Sequence, residues 1–169
     1  MKAAGVILAV AAALALQTTL ARYVMRGSVA VDFVLVAVVY VALTAGPTAG
    51  LMSGAIAGLI QDALSTSLIG IGGLAKTIVG FLAGVVGTQF IVVHSLPRFV
   101  VFFAATVVHA VVFMGLYALL DLRHFGTPYA AVGGQSAGNA LVGVVAFQLV
   151  ELLPGAVERR RAARHRPRR

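Results

Sequence analysis

The chain has 169 residues, 60% of them hydrophobic and only 11% charged, with a mean hydropathy of +1.01. Such a surface is far too apolar for a water-soluble domain, which places the chain in a membrane. Its net charge of +8 does not describe a nucleic-acid face, because seven of the 13 Lys and Arg residues fall between Arg159 and Arg169, and the absence of cysteine excludes disulfides and thiolate metal sites.

A membrane helix needs about 20 mostly apolar residues to cross about 30 Å of hydrocarbon, and on that basis the sequence predicts about six helical segments. The first runs from about Ala3 to Ala21 and the second from about Asp32 to Ala45. The third, short and glycine-rich, runs from about Thr48 to Leu64, and the fourth from about Gly70 to Val93. A fifth from about Phe99 to Leu120 and a sixth from about Tyr129 to Leu153 follow. The breaks carry turn chemistry: Arg22 to Ser28, Gly46-Pro47-Thr48, Ser65-Thr66-Ser67, His94 to Arg98 with Pro97, and Asp121 to Pro128. The expected organisation is one transmembrane domain over residues 1–157 and a basic, irregular tail over 158–169.

Residues 1–21 also carry features of a secretory signal, with Lys2 as a basic end and Thr19-Leu20-Ala21 as a weak cleavage site. The length of the apolar run and the spans behind it favour a first membrane helix. Six spans put both termini on one side, and the excess of arginine in the tail places that side in the cytoplasm, with Arg22, Arg26 and Arg123 outside. A re-entrant third segment would make the count odd and turn the amino terminus outward.

Gly50, Gly54, Gly58 and Asp62 are four apart and so share one helix face, a flat strip on which another backbone can close in, ending in a carboxylate. Lys76, Gly80 and Gly84 repeat the spacing in the fourth segment. Asp62 and Lys76 lie almost symmetrically about Ile69, so an antiparallel hairpin predicts that they meet as an ion pair. A partner matters, since an unpaired charge at the bilayer centre costs about 2.5 to 3.5 kcal/mol on insertion scales. Asp62 and Lys76 also qualify as a binding or conducting pair, and Asp62, Lys76, His109 and Asn139 as a relay along a water-filled path. Gln17, Thr18 and Thr19 in the first segment, Thr106 and His109 in the fifth, and Gln135, Ser136 and Asn139 in the sixth read as interhelical hydrogen-bonding groups. His94, His109, His124 and His165 lack metal-ligand spacing. The motifs of phosphate-binding loops, zinc proteases and serine hydrolases are missing, so neither catalysis nor a metal or cofactor is expected. The arginine tail suits attraction to an anionic leaflet.

The block from Gly50 to Gly84, G-LMS-G-AIA-G-LIQ-D followed by a small-polar turn, Gly70, Gly73, Leu74, Lys76 and Gly80, resembles the central signature of the rod shape-determining protein MreD family. The acidic residue Asp32 opening the second span matches as well, although the proline that usually precedes it in the family is replaced by Val31. The resemblance implies a non-enzymatic membrane component of the bacterial elongation machinery. It implies binding to the single-span protein MreC and action beside MreB and the peptidoglycan synthase pair. It also implies a six-helix arrangement similar to the substrate-binding subunits of energy-coupling-factor vitamin transporters. A vitamin-binding subunit is therefore the second functional reading, with Ala9 and Ala13 as a candidate coupling motif. The positions carried over are Asp32, Gly50, Gly54, Gly58, Asp62, Gly70, Gly73, Lys76 and Gly80. Under the leading reading, Gly50, Gly54, Gly58, Gly80 and Gly84 form a packing or partner-binding face.

Overall fold

The structure, a computed structural model, describes residues 3–24, 31–65, 68–90, 94–121 and 129–164, and the side chains of 5–19, 31–65, 68–90, 94–121 and 129–152. Lys2, Arg26, Arg123 and the tail beyond Arg164 lie outside the described residues. Six helices occupy the six expected segments: α1 (Ala3–Val24), α2 (Phe33–Ala45), α3 (Pro47–Leu64), α4 (Ile71–Gln89), α5 (Ser95–Leu119) and α6 (Tyr129–Arg164). The described residues contain no strand.

Three ends differ from expectation: α4 closes at Gln89, with Phe90 as its C-cap, ahead of the expected Val93. Helix α5 starts at Ser95, ahead of Pro97, because a proline in the first turn gives up only an N–H that has no helical partner anyway. Helix α6 continues through Arg164, so the basic segment from Glu158 begins as helix where an irregular arm was expected. Alanine, arginine and glutamate are good helix formers, and 158–164 contains no glycine or proline to stop them. Among the described residues, three helices are by themselves long and apolar enough to cross a membrane: α4, α5 and the Tyr129–Leu152 part of α6. Gly5–Thr19 of α1 and Phe33–Ala45 are shorter apolar stretches.

Helix α2 is the centre of the bundle. It touches α1, α3, α4, α5 and α6, and Val34, Leu35, Val36, Val38, Val39, Val41 and Ala42 are all buried. This explains its composition: a helix that meets protein on every side is apolar all round, with no polar face. On one side Leu35, Val36, Val39 and Ala42 pack with Val79, Ala83, Phe102, Ala105, Ala140 and Phe147. On the other, Val34 and Val38 pack with Val10, Ala13 and Ala57. Gly46, at a φ of +92° that only glycine adopts freely, ends α2, and Pro47 opens α3 at its first position, where no donor is lost.

The closest helix pair is α3 with α4, and its interface is made of backbone. A Cβ on Gly54 would stand 2.7 Å from the Lys76 carbonyl carbon, one on Gly58 2.6 Å from Gly73 Cα, and one on Gly84 2.6 Å from Pro47 N. Gly50 and Gly80 face each other so closely that each would drive a Cβ into the other's carbonyl oxygen. The stripe expected either to pack internally or to receive a partner is therefore used inside the chain, against the second stripe. Dispersion between close backbones drives such contacts where lipid removes the hydrophobic incentive.

Alanine at Gly54 or Gly58 should lower stability by about 1–3 kcal/mol through overpacking. Gly115 and Gly133 have open space at the same position, so alanine there should be neutral or stabilise by up to about 1 kcal/mol through helix propensity. Thermal unfolding of the four single variants in detergent checks the contrast.

Candidate functional site: a buried polar hub at the start of α2

Helix α2 begins among its neighbours, with Val31 half-buried and Asp32 only 7% exposed. The first N–H groups of a helix lack intrahelical acceptors, and in a membrane interior they need acceptors from the protein. Three side chains provide them. The Asp32 N–H donates to Asn139 Oδ1 of α6 at 2.9 Å, the Phe33 N–H to Gln17 Oε1 of α1 at 2.8 Å, and the Leu35 N–H to Asp32 Oδ1 at 2.9 Å. Asp32 is thus the N-cap, and its charge is favoured by the positive end of the helix.

Its second oxygen, Oδ2, lies 3.0 Å from Lys76 Nζ of α4. Lys76 is 3% exposed and reaches His109 Nε2 of α5 at 3.4 Å. An ammonium has only donors, so Nε2 accepts and the imidazole is neutral, with its proton on Nδ1. Asn139 Nδ2 donates to Thr106 Oγ1 at 3.1 Å, and that hydroxyl donates to the Phe102 carbonyl at 2.9 Å. Asn139 and Thr106 are fully buried, and His109 stacks on Phe113 with 5.8 Å between ring centroids. Five helices, α1, α2, α4, α5 and α6, are joined at this point.

The expected Asp62–Lys76 ion pair does not form. Asp62 Oδ2 instead accepts from the N–H groups of Gly70, at 2.9 Å, and Gly73, at 3.0 Å, and so caps the start of α4. Gly70 takes a left-handed φ of +107° to turn into the helix, and Gly72 has no room for a Cβ against the carboxylate. The reason for the difference is reach. The end of α4 bends directly over Asp62, whereas the Lys76 backbone lies against Gly54 and its side chain runs on to α2. A relay that includes Asp62 is likewise not assembled; Asp32 takes its place beside Lys76, His109 and Asn139. Gln135 is half-buried and joins the hub through no hydrogen bond among the described residues.

Sequence reasoning missed a second lock at the opposite end of the bundle. Buried Arg98 of α5 donates to Glu151 of α6 through both guanidinium ends, one of them at 3.0 Å to Oε2. The guanidinium also lies 4.4 Å above the centre of the Phe147 ring. Opposite charges at the facing ends of two consecutive antiparallel segments were the available signal.

The described cavities have a different character. A groove of about 540 Å³ between α1 and α3 is lined by Val10, Leu14, Ala49, Met52, Ser53 and Ile56 among others. Two smaller ones, about 260 and 270 Å³, lie between α4 and α5 and between α1 and α6. Ser53 and Tyr40 bring the only polar side-chain atoms to these walls. Among the described residues no cluster of His, Asp or Glu could hold a metal ion.

These features define a polytopic, all-helical membrane protein whose interior is closed by polar contacts between its own helices. Residues 2–154 match the rod shape-determining protein MreD family, and the chain belongs to that family. It is a family of shape-determining membrane proteins. No curated protein and no solved structure was found to match the chain, so the likeness to vitamin-transporter subunits receives no support.

Breaking the hub from one side should cost more than removing it whole. Lys76→Met, which leaves a buried carboxylate unpaired, is expected to lose about 3–5 kcal/mol. Adding Asp32→Asn to Lys76→Met should recover a large part of that loss, and thermal unfolding of the two single variants and the double variant measures the coupling.

Proposed function

We propose that this protein is a non-enzymatic scaffold of the bacterial cell-wall elongation machinery, seated in the cytoplasmic membrane with its arginine tail in the cytoplasm. In this reading it docks the transmembrane helix of an MreC-like single-span partner, with MreB and the peptidoglycan synthase complex as further members of the assembly. Membership of the MreD family carries the reading. The buried polar groups support it as well, since they hold helices together, and among the described residues they leave no open constellation of acid, base and nucleophile.

The glycine stripe, spent on α4, is not the docking face in this proposal. The groove between α1 and α3 takes that role. Its floor carries Ala49 and Ser53, four residues apart on α3, with Ala45 at the end of α2, and Ile7, Met52 and Ile56 stand exposed beside it. Small residues between large ones let a second helix approach closely. The vitamin-binding alternative lacks a matching site, because small-molecule pockets place several convergent polar groups on a concave wall and the described cavities are almost wholly apolar.

Filling the groove with Ala11→Trp or Ala49→Phe should reduce co-purification with an MreC-like partner by about tenfold, equivalent to 1.4 kcal/mol, without lowering the unfolding temperature. Unchanged recovery of the partner with both variants would remove the groove as its seat.

A further inference from the structure

Helices α1 and α6 flank α2 without touching each other among the described residues, and a groove of about 270 Å³ runs between them. Its floor extends along α2 from Phe33 to Tyr40, and its α6 wall from Val142 to Val150, a rise of about 12 Å at about 1.5 Å per residue. One turn of a helix about 10 Å across fills roughly 420 Å³. Over two turns of length, a groove of 270 Å³ therefore admits an occupant much thinner than a helix, the width of a single hydrocarbon chain.

The Tyr40 end of the groove is polar. The Tyr40 ring packs on Phe147 with 4.5 Å between centroids, and the Arg98 guanidinium lies 4.4 Å from the centre of the same Phe147 ring. Arg98 holds Glu151, the neighbour in sequence of Val150 in the groove wall, and the Glu151 side chain is 56% exposed. Exposed Gln148 and Ser95, joined at 3.4 Å, lie at this end of α5 and α6 as well. Aromatic and polar side chains gathered at helix ends mark the level of lipid headgroups.

We propose that this groove binds one phospholipid with an ethanolamine headgroup, its acyl chain laid over α2 and its headgroup between Tyr40 and Glu151. The phosphate accepts from the Tyr40 hydroxyl, which no hydrogen bond among the described residues engages. The ammonium donates to Glu151, each of whose oxygens accepts one bond from Arg98 and keeps a further lone pair toward solvent. Arg98 and Glu151 neutralise each other, so the site holds no net charge to draw an anionic headgroup, and a choline has no N–H to offer the carboxylate. Held in this way, the lipid ties α6 to α1, which otherwise meets the bundle through α2 and α3.

Native mass spectrometry of the full chain in a neutral detergent tests the site, with phosphatidylethanolamine, phosphatidylcholine and phosphatidylglycerol of identical acyl chains added in turn. One phosphatidylethanolamine per chain is expected, held about tenfold more tightly than either of the others. Ala146→Trp, or Ala12→Phe on the opposite wall, fills the groove and should weaken its binding by about tenfold. Ala12 is exposed, so the second variant spares the fold if the first does not. Tyr40→Phe should weaken binding by about threefold through the lost hydrogen bond, and Glu151→Gln should remove the preference for ethanolamine over choline. Equal retention of the three lipids, retention that neither groove-filling variant lowers, or a protein helix found seated over α2 in this groove would overturn the proposal.

Discussion

A helix that starts inside other helices cannot leave its first N–H groups to water, and this constraint organises the molecule. Lys76 lies five residues into α4 and reaches Asp32, so α2 starts beside the first turns of α4, inside the bundle. The acceptors are drawn from α1, α6 and Asp32 itself. Once a carboxylate is used as cap, its charge requires Lys76, and Lys76 in turn fixes the orientation of His109. One backbone requirement thus selects side chains on five helices.

The start of α4 meets the same requirement with Asp62, which accepts from two glycine N–H groups. The two carboxylates differ in what accompanies them. Asp62 is balanced by backbone donors and the helix dipole, and Asp32 by these and a full positive charge. Desolvation of a buried ion pair consumes most of its Coulomb attraction, so the hub adds little net stability over well-packed apolar residues. Its effect is to set which helices meet and in what register. Net attraction comes from the apolar packing around α2 and from the backbone contact of α3 with α4.

Much of this was legible in the sequence. Six apolar segments announced six helices, and the two small-residue stripes announced a close backbone contact; that each stripe faces the other follows from the short turn between them. Asp32, Lys76, His109 and Asn139 all stood out as polar groups in apolar surroundings. Equal distance from Ile69 suggests that Asp62 and Lys76 can meet, but it sets only their depth along the hairpin. Helical phase decides instead: Lys76 turns its backbone to α3 and its side chain to α2. Gln17 reads from the sequence as an interhelical hydrogen-bonding group, as it is, but that it answers the first N–H of α2 depends on α1 standing beside that helix end, which no local pattern encodes. Arg98 and Glu151 are separated by more than fifty residues, and only the antiparallel register of α5 and α6 unites them.

The order in which the chain is made gives the hub a further meaning. Asp32 enters the membrane two helices before Lys76 has been synthesised, and Asn139 comes last of all. Gln17 and Asp32 can already answer the Phe33 and Leu35 N–H groups, but until Lys76 and Asn139 arrive α2 carries an unpaired carboxylate and one uncapped N–H. The central helix of the finished bundle is therefore the one whose charge and cap are completed last, by helices that follow it in the chain.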